Sequence, residues 1–174
     1  NEIMRHALGK VPKVDILVNN ASLFEPVPFT EITTAQWDEM QAVNVRAPFL
    51  LSRECVPLLQ AKSGLVVHLC DIGGDRPMPG YAHYSVSKSA IIGLVKAMAV
   101  ELGPNIRCVG VSPGHVVWPE DWDASLREEM LKRISLNRVG EAEDVGKLVH
   151  FLWEKGTYIN GDIIAVDGGL SAHY

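Results

Sequence analysis

The sequence is poor in several features that mark particular classes of protein. It has three cysteines in 174 residues, Cys55, Cys70 and Cys108, and no CxxC pair, so neither a disulfide framework nor a cysteine zinc site is indicated. Lys and Arg number 16 against 21 Asp and Glu, and a chain without a basic surplus is a poor binder of phosphate backbones. No apolar run is long enough to cross a bilayer, and the N-terminus lacks a signal-peptide core. We therefore expect a cytoplasmic protein without a nucleic-acid or membrane partner.

What the sequence does contain is a regular alternation of short apolar runs and longer segments of helical period. This alternation predicts an α/β fold, a doubly wound parallel sheet covered by helices, and we expect residues 1–174 to form a single domain. Thr33 and Gln36 match a capping box at the start of the first helix. The predicted strands cover 15–20, 65–70, 106–112 and 162–167, and the predicted helices cover 34–61, 80–102, 124–134 and 142–155.

The helical segment 88–102 is apolar over more than one stripe of its surface. One face can pack on the sheet, and the other needs a second cover. Two alternatives follow: a helix fully buried within one chain, or a helix that forms a subunit interface. We favour the interface, because the flanking helices of an open sheet usually keep a solvated side.

Polar or turn-forming residues follow three of the predicted strands. The carboxyl ends of parallel strands share one edge of a sheet, where ligands bind in folds of this class. We therefore expect one site built from three segments: Asn19-Asn20-Ala21-Ser22, Asp71-Ile72-Gly73-Gly74 and Ser112-Pro113-Gly114-His115.

Tyr84 and Lys88 are spaced to lie on one face of the helix that follows the second segment. A neighbouring ammonium favours a phenolate, so we expect Lys88 to lower the pKa of Tyr84 and to suit it for proton transfer near neutral pH. The Tyr-x-x-x-Lys spacing by itself is common on protein surfaces. Its position after a strand and a glycine-rich loop is what makes it informative.

Asp71 and Asn44 each allow two interpretations. Asp71 precedes Gly-Gly and suits a turn or a helix cap, or it is a partly desolvated carboxyl with a raised pKa that donates a proton. Asn44 either faces solvent or holds a water that relays protons to Lys88. His68 is expected to be a satisfied core residue. The other histidines lack a second ligand at metal spacing, so no metal site is predicted.

Taken together, these motifs resemble the short-chain dehydrogenase/reductase family. The resemblance rests on NNAS at 19–22, Asn44, YSVSK at 84–88, IRCVGVSPGHV at 106–116 and YINGDIIAVDGG at 158–169. Within that family, Asp71 in place of the usual serine, NNAS in place of NNAG, and Phe24 two residues later resemble the pteridine reductases, in particular their bacterial members.

The resemblance implies NADPH as cofactor and a pterin or folate, such as dihydrobiopterin or dihydrofolate, as substrate. It places the cofactor against Asn20, Ala21, Ser22, Tyr84, Lys88, Pro113 and Gly114. The implied catalytic residues are Asp71, Tyr84, Lys88 and Asn44, and the implied substrate contacts are Ser22, Phe24, Asp71, Tyr84 and Trp118. The alternatives are that Phe24 only anchors a loop and that Trp118 only fills the core. A homotetramer through residues 88–102 is also implied.

The residue types agree with that chemistry. A hydroxyl is enough to polarise a carbonyl, whereas reduction of a ring C=N bond requires a proton on nitrogen, for which a carboxylic acid is the better donor. The glycine-rich turn that carries the dinucleotide pyrophosphate is absent from the 174 residues, and by comparison with the family we expect roughly three strands to be missing. Two alternatives stay open: a short-chain reductase of another carbonyl, and a non-catalytic remnant that serves as an assembly partner.

Overall fold

A computed structural model of the chain describes residues 6, 9–10, 13–60, 64–118 and 122–172. Four parallel strands form one sheet in the order β1-β2-β3-β4. The strands are β1 (Ile16–Asn19), β2 (Leu65–Leu69), β3 (Arg107–Pro113) and β4 (Ile163–Val166). This arrangement confirms the predicted parallel α/β fold, and each predicted strand is found within about two residues of its expected limits.

Five α-helices connect or flank the strands in the described part of the chain. They are α1 (Thr34–Gln41), α2 (Ala47–Gln60), α3 (Ala82–Leu102), α4 (Ala124–Arg133) and α5 (Ala142–Glu154). The predicted capping box is present, because the Thr33 hydroxyl accepts from the Gln36 N–H at 3.2 Å and Gln36 Oε1 accepts from the Thr33 N–H at 3.0 Å.

The first predicted helix is interrupted by a π-helical segment, Ala42–Arg46, between α1 and α2. Pro48 follows this segment. A proline has no N–H to donate within a helix, and its ring crowds the carbonyl four residues earlier, which here belongs to Asn44. Widening the turn ahead of the proline relieves that crowding. Pro48 therefore accounts for the interruption of the helix, although a π-helical segment was not predicted there.

Helices cover both faces of the sheet, as expected of a doubly wound fold. On one face, Val66 and Cys108 pack with α2 and α3 residues that include Leu59 and Met98. On the other face, the alternate strand positions pack with α5, in a cluster that contains Leu65, Val67, Val109, Val111 and Leu152. Burial at these positions is essentially complete, and the parallel pairing of the strands brings their carboxyl ends to one edge.

Helix α3 is only half covered. Ile91 and Val95 are buried on the inner side, whereas Val86 is 47% and Val100 is 82% exposed. A side chain placed on Gly93 would meet nothing within 4 Å. Within the described residues, α3 is therefore not fully buried, contrary to the first alternative. Among the described residues, the helices lack the combination of length and hydropathy that a membrane span requires.

Candidate active site

The ends of β2 and β3 bring the predicted site residues to one edge of the sheet. Asp71 lies just beyond β2, and Gly114 just beyond β3, which ends at Pro113. A Cβ on Gly114 would lie 2.8 Å from Asp167 Cβ and 2.9 Å from its Cα, so only glycine fits this approach of the β3 end to the β4 end. Asn20 and Ala21 follow β1 directly and are exposed.

Asp71 and Tyr84 form the centre of the site. The Tyr84 hydroxyl donates to Asp71 Oδ2 at 2.7 Å, and Asp71 Oδ1 accepts from the Gly73 N–H at 2.5 Å. The carboxyl thus caps a short 3₁₀ turn, Ile72–Gly74, and also contacts the phenol. The cap interpretation of Asp71 is therefore confirmed on Oδ1, and its role as a proton donor stays a prediction.

The expectation that Lys88 lowers the pKa of Tyr84 is wrong for this structure. Burial raises the pKa of Tyr84 above its ordinary value, and the charge and hydrogen bond of Asp71 raise it further. The physical reason is that the phenol faces a carboxylate, which stabilises the O–H donor rather than the phenolate. Tyr84 is therefore held as a neutral phenol that carries its proton through the neutral pH range.

Lys88 lies behind the tyrosine ring. Its ammonium is 5.6 Å from the ring centroid of Tyr84 and donates to the Leu69 carbonyl at 3.0 Å. Burial lowers the pKa of Lys88, while the Asp71 carboxylate and Cys70 oppose that effect. An ammonium has three N–H donors, so Lys88 can bond further acceptors in addition to Leu69.

Asn44 ties the loop after β1 to the helix that carries Tyr84. It is only 3% exposed, so the solvent-facing alternative is wrong. Its Oδ1 accepts from the Leu23 N–H at 2.7 Å, and its Nδ2 donates to the Leu23 carbonyl and to Ser87 Oγ, both at 3.0 Å. These contacts make Asn44 a positioning residue, and the proton relay to Lys88 stays a prediction.

Phe24 lies against Tyr84 and is 43% exposed. It stacks on Tyr81 at 4.5 Å between centroids and 14° between planes, and it meets Tyr84 edge-on at 4.8 Å. Tyr81 was missed by sequence reasoning, although it stands three residues before Tyr84. Ser22 is exposed and donates to the Leu23 carbonyl at 3.2 Å.

A second aromatic group stands beyond β3. His115, Trp118 and Trp122 lie 5.1 to 5.7 Å apart between ring centroids. Trp118 is partly exposed, so the alternative of a core-filling residue is wrong. The pKa of His115 is lowered, mainly by burial, and the Asp71 carboxylate opposes that shift. His115 belongs to the third predicted segment, although no role was predicted for it, and Trp122 was not predicted as a site residue.

His68 is buried in β2, as expected, but it is not fully satisfied. Its Nδ1 lies 3.4 Å from Asn19 Nδ2, whereas its Nε2 is buried without a hydrogen-bond partner. Among the residues that the structure describes, no group of three His, Cys, Asp or Glu side chains is placed to hold a metal ion.

Comparisons with known proteins agree with this geometry. The family described as enoyl-(acyl carrier protein) reductase matches residues 1–171. A 3-oxoacyl-(acyl-carrier-protein) reductase from Thermotoga maritima is 33% identical over 97% of this chain and 71% of its own length. Human dehydrogenase/reductase SDR family member 4 is 36% identical over 90% of this chain and 59% of its own.

The fold comparison gives the same answer. A short-chain glucose/ribitol dehydrogenase structure from Brucella melitensis superposes with a TM-score of 0.87 at 26% identity, over 97% of this chain and 69% of that one. The chain thus spans roughly six to seven tenths of the length of these relatives. With the sheet order, the Tyr84–Lys88 pair and these matches in agreement, the chain belongs to the short-chain dehydrogenase/reductase family.

Proposed function

We propose that the protein is an NADPH-dependent reductase of pterins, with dihydrobiopterin and dihydrofolate as candidate substrates. The observation that carries the proposal is the 2.7 Å hydrogen bond between the Tyr84 hydroxyl and Asp71 beside the exposed ring of Phe24. The Tyr84 hydroxyl is a proton source, and the Phe24 ring beside it is a flat aromatic surface. Reduction of a C=N bond in a planar ring uses both, one to protonate the nitrogen and the other to hold the ring.

The strand-end residues fit a nicotinamide cofactor. Lys88 is a buried ammonium with donors to spare beyond Leu69, and Gly114 lies at the same edge of the sheet, directly after β3. Lys88 and Tyr84 would hold the ribose, and Asn20, Ala21, Pro113 and Gly114 would border the nicotinamide. Bound NADPH supplies the hydride. NADPH in preference to NADH rests on the resemblance to pteridine reductases.

The chain's own residues supply the proton. The neutral Tyr84 phenol donates to the substrate nitrogen, and Asp71, when protonated, returns a proton through their shared hydrogen bond. The reduction balances because the hydride carries two electrons to carbon and the proton satisfies nitrogen. General acid catalysis of this kind contributes typically 10²- to 10⁴-fold.

Phe24 would orient the substrate. Its ring stacks on Tyr81 and is buttressed edge-on by Tyr84, so its position is held from two sides. A planar bicyclic ring laid against this surface gains aromatic contact at a fixed distance from the reacting pair. Ser22 and Trp118 are the further substrate contacts that the resemblance implies.

A second candidate is reduction of a carbonyl, such as that of a 3-oxoacyl thioester. It is favoured by the Thermotoga maritima relative, which carries the name of a 3-oxoacyl-(acyl-carrier-protein) reductase. In this case, Asp71 would serve mainly as the cap of the 3₁₀ turn, and a hydroxyl in its place would polarise a carbonyl equally well. A non-catalytic assembly role is the third possibility, and it predicts no turnover at all.

The replacement Asp71→Ser separates these candidates in the full-length gene product. Serine retains a cap for the Gly73 N–H but cannot donate a carboxylic proton. We expect the kcat for dihydrobiopterin to fall about 10²- to 10⁴-fold, with NADPH affinity, measured by fluorescence titration, nearly unchanged. The matched control is Asp75→Ser, which removes the same charge from an exposed position of the same loop.

The outcomes are distinct. Retained pterin turnover in the Asp71 variant would show a structural role for the carboxyl. Turnover of a 3-oxoacyl thioester alone by the unsubstituted protein would favour the second candidate. NADPH binding without any reduction of either substrate class would favour the assembly role.

We further propose that the exposed side of α3 is a contact between copies of this chain in a homotetramer. Val86 and Val100 are exposed there, and Gly93 leaves the surface open between them, so a second helix can approach closely. Val100→Glu should shift the elution volume in size-exclusion chromatography toward a smaller species. An unchanged elution volume would remove α3 from the interface.

A further inference from the structure

A cavity of about 510 Å³ lies beside the candidate active site, at the carboxyl ends of β3 and β4. Its lining includes His115, Arg138, Asp144 and Asp167. Neighbouring strands are about 4.8 Å apart, so the β4 end is about 10 Å along the sheet edge from the β2 end, where Asp71 stands. His115 borders both regions, since it lines the cavity and directly follows Gly114 at the end of β3.

The charges on the cavity wall do not favour an anion. Arg138 is the one cationic side chain among the described residues of the lining, and its Nη1 is 2.9 Å from Asp144 Oδ2. That pair cancels. Asp167 accepts from the N–H groups of Gly169 at 2.9 Å and Ser171 at 2.7 Å, contacts that leave its negative charge in place.

The protonation states follow from the surroundings of each group. Burial alone would raise the pKa of Asp167, but hydrogen bonds from Ser171 and Gly169 outweigh it, and the net pKa is lowered. Arg138 lowers the pKa of Asp144. The pKa of His115 is lowered by burial and by Arg133, against Asp71. At neutral pH, the wall therefore carries two carboxylates, one guanidinium and a neutral imidazole.

We propose that this cavity receives the side chain of the pterin and selects neutral, hydroxylated side chains over the dicarboxylate tail of folates. The inference rests on the proposed function, whose reacting groups fix one end of the substrate. Carboxylate oxygens of Asp144 and Asp167 accept hydrogen bonds from hydroxyl groups, whereas a glutamyl carboxylate would face Asp167 without a free cation. A preference of about tenfold in kcat/KM for dihydrobiopterin over dihydrofolate is expected from one uncompensated like charge.

Two substitutions that change the charge of the cavity wall in opposite directions test this selectivity in the full-length gene product. Asp144→Asn frees Arg138 and keeps an oxygen that can accept from the Glu141 N–H, so the ratio of kcat/KM values should move toward dihydrofolate by about tenfold. Arg138→Gln leaves Asp144 unpaired and should move the ratio the other way. Glu143→Gln is the control, because it removes an exposed charge of the same helix that does not line the cavity.

Opposite shifts in the two cavity variants, with the ratio unmoved in the control, support the proposal. Equal losses of kcat/KM for both substrates in both variants would show that the Arg138–Asp144 pair is purely structural and would overturn the proposal. A shift of the ratio in Glu143→Gln as large as that in Asp144→Asn would also overturn it. The two failures are separable: turnover of both pterins with an unmoved ratio overturns the selectivity alone, whereas a folded, NADPH-binding protein that reduces neither pterin overturns the proposed function and the selectivity together.

Discussion

The buried imidazole of His68 links the stability of the sheet to pH. His68 is 1% exposed in the centre of β2, and its Nε2 has no hydrogen-bond partner. Burial, reinforced by the positive charge of Lys88, lowers the pKa of His68 from 6.5 to about 4. The unfolded chain therefore binds this proton about two to three pH units before the folded chain does, and acidification favours unfolding.

The magnitude follows from that difference. At about 1.4 kcal/mol for each tenfold change in proton affinity, the loss amounts to about 3 kcal/mol. This contribution to the free energy of unfolding is intact above pH 6.5 and is lost as the pH falls from 6.5 toward 4. That is a large share of the stability of an ordinary domain, which is about 5–15 kcal/mol. His115, whose pKa is also lowered by burial, adds a loss of the same sign.

The assay is urea unfolding at a series of pH values between 6.5 and 4.5, compared between the unsubstituted protein and His68→Gln. Glutamine cannot gain a proton, so the variant should lose most of the slope of unfolding free energy against pH. The slope that remains in His68→Gln comes from His115 and the carboxylates. His150→Gln, which removes an exposed imidazole from α5, should leave the His68 contribution in place. An equal slope in the unsubstituted protein and His68→Gln would refute the assignment.

Three further substitutions test the framework of the site. Asn44→Ala leaves the N–H and carbonyl of Leu23 without their buried partners; it should cost about 2–4 kcal/mol in urea unfolding and lower kcat. Gly114→Ala places a Cβ 2.8 Å from Asp167 Cβ, so we expect about 1–3 kcal/mol of destabilisation in thermal melts and weaker NADPH binding by fluorescence. Arg107→Lys loses the guanidinium that donates to three carbonyls and should cost about 2–4 kcal/mol in urea unfolding. For each of the three variants, an unfolding midpoint equal to that of the unsubstituted protein would contradict the contacts described.

The fold could be predicted because its signals are local. Each strand is a short apolar run bounded by turn residues, and a parallel sheet buries both faces of such runs. Parallel strands also bring their carboxyl ends to one edge, so the grouping of Asp71 with Tyr84 and Lys88 followed from strand order and helical spacing. The capping box of Thr33 and Gln36 was visible for the same reason, since both partners lie within one turn.

The parts that could not be predicted depend on contacts between distant segments. The stack of Tyr81 on Phe24 joins residues 57 positions apart, and no local pattern records it. The pKa of Tyr84 was predicted in the wrong direction because spacing shows that Lys88 is near but does not show which neighbour the hydroxyl faces. A carboxylate at 2.7 Å outweighs an ammonium that bonds the Leu69 carbonyl instead.

Asn44 shows how such a distant contact fixes the site. The loop that carries Phe24 is largely exposed, so apolar burial contributes little to its position. Instead, Asn44 accepts from the N–H and donates to the carbonyl of Leu23, as a neighbouring strand would, and also donates to Ser87 on α3. Because the π-helical segment before Pro48 sets the direction of Asn44, the break in that helix places the aromatic surface against Tyr84. Helix irregularity is here the cause of site geometry rather than a defect in packing.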